Sequence, residues 1–135
     1  MAVVGCHKGC KLRTERLRSC KTFAMDTISW NDFAKINLRV GTVLEVRPFP
    51  EALKPAYQLW VDFGVELGTL KTSAQITDYY MPESLKGRQV IAVVNFPPKQ
   101  IGPFLSECLI LGALDPNGVV LLSTDQPVAN GIRIA

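Results

Sequence analysis

The stretch "NLRVGTVLEVRPF" (Asn37–Phe49) decides the fold class. In an extended chain, Leu38, Val40, Thr42, Leu44 and Val46 fall on one side. Arg39, Gly41, Val43, Glu45 and Arg47 fall on the other. That period of two describes a strand with one apolar face. Gly41, which has no side chain to pack, marks a bulge or sharp bend within it.

Reading outward from this strand, the same grammar repeats. "PFPEALKP" (48–55) carries three prolines and must be a loop. "AYQLWVDFG" (56–64) is a second strand, with Tyr57, Leu59, Val61 and Phe63 inward and Gln58, Trp60 and Asp62 outward. "VELG" (65–68) is a turn, and "TLKTSAQI" (69–76) is a third strand. A short helical stretch is expected near Thr77–Tyr80, ended by Pro82 and followed by a turn at Lys86–Gly87. "RQVIAVVNF" (88–96) lacks alternation, as expected of a strand buried on both faces. After a proline-rich loop come "SECLILGAL" (106–114), a "DPNG" turn (115–118) and "VVLLST" (119–124). Upstream, "TISWNDFAKI" (27–36) predicts a short helix over about 30–34, capped by Ser29 and Asp32.

Short strands spaced about ten residues apart, with Gly/Pro punctuation, describe a small all-β protein. The expectation is a five-stranded OB-type Greek-key barrel, with short helices at the N-terminus and between strands 3 and 4. The 135 residues suffice for one domain with a real core, and no apolar run reaches the length of a membrane span.

The formal charge of +3 is unevenly placed. Residues 1–24 hold six Lys/Arg and one acid, Glu15, leaving nine bases against eleven acids, about −2, for the remainder. The segment also holds Cys6, Cys10 and Cys20, so only Cys108 lies in the body. We read 1–24 as a solvated basic tail, or as residues upstream of a start at Met25, and 25–135 as the domain. Two competing readings are an organelle transit peptide and a metal knuckle built from "CHKGC" with Cys20. The knuckle lacks a second ligand pair at a usual distance. The cysteine pattern is no disulfide framework and fits a reducing, cytoplasmic setting.

His7, in the tail, is the one histidine. The body therefore has no Ser-His-Asp triad and no His-based metal site, and its glycines form no phosphate-binding loop. This inventory points to binding without a cofactor or resident metal, not to an enzyme.

Several blocks then carry a resemblance. "LRVGTVLEV", "VDFG", "SAQIT", "LKGRQVIAVVNFPPKQIGPFLSECLILGA" and "VVLLSTDQPVANGIRI" resemble, in order over 28–135, the tRNA-binding domain of methionyl-tRNA synthetase tails and related cofactors. In "SAQIT", "NFPP" and "DQPVANG" the chain is most similar to the stand-alone CsaA-type chaperones of that family. The resemblance implies a homodimer that binds unfolded preproteins for the secretion machinery without ATP, with tRNA as the alternative ligand. It places Ser73, Asn95, Lys99, Ser106 and Glu107 at the family's nucleic-acid positions, with Gln75 beside them. Arg39, Arg47 and Lys71 join Lys99 as phosphate contacts in that reading. Two family bases are replaced here by Gln100 and Leu105, which tilts the loop from phosphate toward apolar peptide.

The peptide reading names Trp60, Phe96, Ile101 and Phe104 as contacts, with Pro97-Pro98 as a brace holding Lys99 and Phe104 away from the sheet. For Trp60 the competing role is packing, and for Phe96 and Phe104 it is core or interface. The apolar run "LILGALDPNGVVLL" (109–122) needs a cover, which a two-fold dimer would provide.

Overall fold

A computed structural model describes residues 25–135, so the transit-peptide, metal-knuckle and tail readings of 1–24 lie outside the described residues. The chain divides into two units, Met1–Phe33 and Ala34–Ala135. The described part of the first runs into helix α1 (Trp30–Ala34). The backbone N–H of Asp32 donates to Ser29 Oγ at 3.1 Å, and that of Ser29 donates to Asp32 Oδ2 at 3.1 Å. This reciprocal cap satisfies amides that have no partner within the helix.

In the second unit, strand β1 (Leu38–Pro48) is the organiser. Its first half pairs antiparallel with β4 (Gln89–Val93) and its second half with β2 (Tyr57–Asp62). One strand that changes partners midway makes the sheet curl. β3 (Thr69–Ala74) continues from β2, β7 (Leu109–Ile110) continues from β4, and β10 (Arg133–Ile134) adds to the start of β1. The order β3-β2-β1-β4-β7 is a five-stranded path, and residues 106–108 bring its far end back against β3. This nearly closed barrel is the OB type expected from the strand spacing.

Facing within β1 differs from the simple alternation. The register shifts between Val43 and Glu45, making Leu44 an extra, exposed residue. Before this bulge Gly41 and Val43 face inward; after it, Val46 does. The expectation that placed Leu44 inward and Val43 outward is corrected, because one inserted residue exchanges the two faces. The glycine is needed at the bend: a Cβ on Gly41 would lie 2.6 Å from Val61 Cγ1 and 2.8 Å from the Phe63 ring.

The helix before β4 is displaced as well. Residues 77–79 form a turn, and helix α3 is Pro82–Leu85, with α2 at Gly64–Leu67 in place of the expected simple turn. Proline begins α3 rather than ending an earlier helix, since a first-turn residue needs no N–H and its fixed φ suits the position. Leu85 is fully buried from it.

The main core joins Val43, Leu59, Val61, Phe63, Leu85 and Val90. A second small core holds Phe49, Ala56 and Phe104. The proline-rich connection is itself a hairpin, β5 (Lys99–Ile101) paired with β6 (Phe104–Ser106). Another hairpin, β8 (Gly112–Asp115) with β9 (Gly118–Leu121), pairs with neither. Among the described residues no helix is long and apolar enough to cross a membrane.

Candidate functional site

The barrel seam is made by side chains. Thr72 of β3, the one buried polar residue of the described core, donates to the Cys108 carbonyl at 2.7 Å. Its single proton is then committed, so Ser106 is the donor in the 3.0 Å contact between Ser106 Oγ and Thr72 Oγ1. Ser106 Oγ also accepts from the Ser73 amide at 3.3 Å. Glu107 ties the next step: its carboxylate accepts from the Lys71 amide at 3.0 Å, and its own amide donates to the Lys71 carbonyl at 2.8 Å. Ser106 and Glu107 therefore close the edge of β3, capping amides that would otherwise be open.

Where β3 runs past this seam, the wall parts into a groove of about 700 Å³. Ser73 lines it from β3 and Gln75 from just past the end of that strand, Phe96 and Pro97 from the connection after β4, and Lys99 and Ile101 from β5. Leu109, Leu114 and Val119 form the opposite wall. Phe96 is 55% exposed and Leu114 87% exposed, so apolar surface is open to solvent here. Lys99 brings the groove's one cationic side chain, and no carboxylate pairs with it among the described residues.

The structure thus brings together Ser73, Gln75, Phe96, Lys99, Ile101 and Ser106. The other candidates are engaged elsewhere. Phe104 is buried, its ring 5.5 Å from Phe49 and 5.9 Å from Trp60, so the prolines do not hold it off the sheet. An aromatic of that size gains more from the pocket under the 48–56 loop than from solvent. Trp60 lies between this ring edge and the Arg47 guanidinium, 4.9 Å from its ring centre. This is a packing arrangement, and Trp60 is half-buried and does not line the groove. Asn95 donates to the Lys35 carbonyl at 2.6 Å and accepts from the Asn37 amide at 3.0 Å, fixing the entry to β1.

Three of the four phosphate candidates have partners within the protein. Arg39 donates to Asn37 Oδ1 and to the Gly131 carbonyl, at 2.8 and 2.9 Å. Arg47 pairs with Glu45, and the Lys71 ammonium sits 5.3 Å from the Phe104 ring centre. Lys99 alone of the four reaches the groove. Sequence reasoning missed Thr72 and the far wall of Leu109, Leu114 and Val119. The available signal was the apolar run on both sides of the "DPNG" turn.

Burial pushes the thiol of Cys108, a nearly inaccessible residue in the groove floor, up to about 12. At pH 8 its thiolate fraction is then about one in ten thousand, so alkylation waits on unfolding. We expect the Cys108 peptide, followed by mass spectrometry, to stay unlabelled by iodoacetamide in buffer and to label rapidly in denaturant. Rapid labelling of the folded protein would contradict the buried placement.

Comparison with known proteins adds the family. The tRNA binding domain model matches residues 38–133. The structure aligns with a CsaA chaperone crystal structure from Bacillus anthracis at TM-score 0.77 and 46% identity. The match covers 82% of this chain and all of that one. A CsaA chaperone from Picrophilus torridus aligns at TM-score 0.77 and 50% identity, over 81% of this chain and all of the other. Among curated proteins, a methionine–tRNA ligase of Pyrococcus horikoshii is 39% identical over 82% of this chain, and this chain spans 15% of that ligase's length.

Proposed function

The chain belongs to the tRNA binding domain family, and from that premise we propose that it is an export-related chaperone, ATP-independent and without catalytic activity, that holds unfolded preproteins in its groove. The observation that carries this reading is the groove's composition: apolar walls from three segments, with Lys99 as the one cation. Extended apolar peptide is the chemistry such a surface recognises. Similarity to CsaA chaperones over the whole length of those chains supports the same reading. In this proposal residues 25–135 are the working domain, the setting is cytoplasmic, and the secretion machinery receives the client. A two-fold dimer covers the apolar surface of the strands around 109–122 that does not line the groove.

The second reading, a tRNA-binding module using the same face, is favoured by the family itself and by the ligase relatives. Salt separates the two. Each phosphate contact costs about threefold in affinity between about 50 and 200 mM salt. We expect leucine-rich peptides to bind with Kd between about 0.1 and 10 μM, changing less than about threefold across that range. Peptide affinity that collapses with salt would overturn the chaperone reading. Filter binding of bulk tRNA tests the other, which fails if nothing binds below about 100 μM at low salt. Light scattering on the same samples reads the dimer, and a monomeric mass would refute it.

A further inference from the structure

Two residues of the groove's far wall, Leu114 and Val119, sit on a hairpin that does not pair with the main sheet. β8 and β9 pair only with each other, and an isolated two-stranded hairpin is marginal in water. Its base is tied by the Leu122 amide to the Leu111 carbonyl at 3.2 Å and the Leu111 amide to the Ile91 carbonyl at 2.9 Å. At the same end, in the first hairpin pair (Gly112 with Leu121), the Leu121 amide donates to Tyr80 Oη at 2.9 Å. Val119 and Leu121 pack on the core. The tip has a different anchor. Tyr79 Oη donates to Asp115 Oδ2 at 2.6 Å, and the same oxygen accepts from the Asn117 amide at 3.1 Å.

A second feature at the tip is independent of that hydrogen bond. Gly118 has φ +154°, and a Cβ there would lie 2.7 Å from Asp78 Cβ and 3.0 Å from the Tyr79 ring. The hairpin turn is therefore seated directly on the 77–79 turn, with no room for a side chain between them. Leu114 and Val119, which face each other across the hairpin one step from the tip, are groove residues.

We propose that Tyr79 is a positioning residue for the groove: it latches the β8–β9 tip through Asp115 and thereby sets the width of the apolar channel. This rests on the peptide-binding reading for its consequence, but not for the latch. Charge chemistry agrees with the geometry. The Asp115 bond holds the Tyr79 hydroxyl above its ordinary value, and the Tyr79 bond holds the Asp115 carboxyl below its own. At neutral pH both groups thus keep the forms that make the bond, phenol and carboxylate. The latch is a constant brace rather than a pH switch. Tyr79 does not line the groove; it acts through the wall it holds.

The test is hydrogen exchange on the full chain, combined with titration of a short leucine-rich peptide. In Tyr79→Phe and in Gly118→Ala, amides of 112–121 should exchange about fivefold faster, because the local opening that exposes them no longer breaks the latch. Amides of β1, β2 and β4 should not change. Peptide affinity should fall several-fold in both variants. Asp115→Asn, whose amide oxygen still accepts from Tyr79, should keep exchange and affinity within about twofold of the parent. Unchanged hairpin exchange in both Tyr79→Phe and Gly118→Ala overturns the latch. Faster exchange with unaltered peptide affinity overturns its role in setting the groove. A parent protein that binds no peptide overturns the function proposed above, and the latch then stands or falls on exchange alone.

Discussion

Phe63→Ala should destabilise the domain by about 3–5 kcal/mol, and Gly41→Ala by about 1–3 kcal/mol, for opposite reasons at one spot. Phe63 is fully buried in the main core, and its ring lies against the open space that Gly41 leaves on β1. Removing the ring leaves a cavity; adding a methyl to the glycine drives it into that ring and into Val61. The two changes should couple. In the double variant the alanine at 41 occupies space that the ring has vacated, so the combined loss should fall short of the sum by about 1 kcal/mol or more. The relief is incomplete because Val61 Cγ1, on a stiff β-branched side chain, still stands 2.6 Å from the added atom. Urea denaturation of the four proteins measures it. Strict additivity would mean that Gly41 is present for some reason other than ring packing. A domain with typical stability has only about 5–15 kcal/mol in hand, so Phe63→Ala should approach the limit of folding.

Thr72→Val should cost about 1–3 kcal/mol while hardly changing side-chain volume. The valine keeps the shape but abolishes the donor to the Cys108 carbonyl and the acceptor for Ser106. Both lost partners are at the seam, where β3 and residues 106–108 close the barrel. Thr72→Ser keeps the hydroxyl and should lose less than half as much. The denaturation midpoint should move without a change in slope, since the same surface is exposed on unfolding. If Val and Ser variants are equally stable, the seam is held by Glu107 and the Lys71 backbone instead. Peptide titration of Thr72→Val adds a functional readout, because Ser106 and Cys108 lie on the groove as well as at the seam.

Much of the architecture is legible in residue order. The alternation of Tyr57, Leu59, Val61 and Phe63 specifies which face of β2 is buried, because a strand has only two faces and water sorts them. Ser29 and Asp32 specify the start of α1, since the cap needs only residues three apart. Asp115–Gly118 specifies its turn by local backbone preference. Each signal works over a few residues, and each survives whatever the rest of the chain does.

The departures arise where distant residues compete for one place. Leu44 turns outward because β2 pairs with β1 in a register that skips it, and that register is set by Phe63 needing the space over Gly41. Phe104 turns inward because Phe49 and Ala56, some fifty residues away, leave a pocket that its ring fills. Lys71 and Arg39 are ordinary bases in the sequence, yet a ring and a carbonyl engage them, while Lys99 stands in a groove with no carboxylate partner among the described residues. Residue order alone specifies a small all-β barrel, its strands and a family of binding modules. Which of the candidate residues meet in one place follows from the folded chain, because burial and pairing are settled by partners far along the chain, and local pattern carries no record of them.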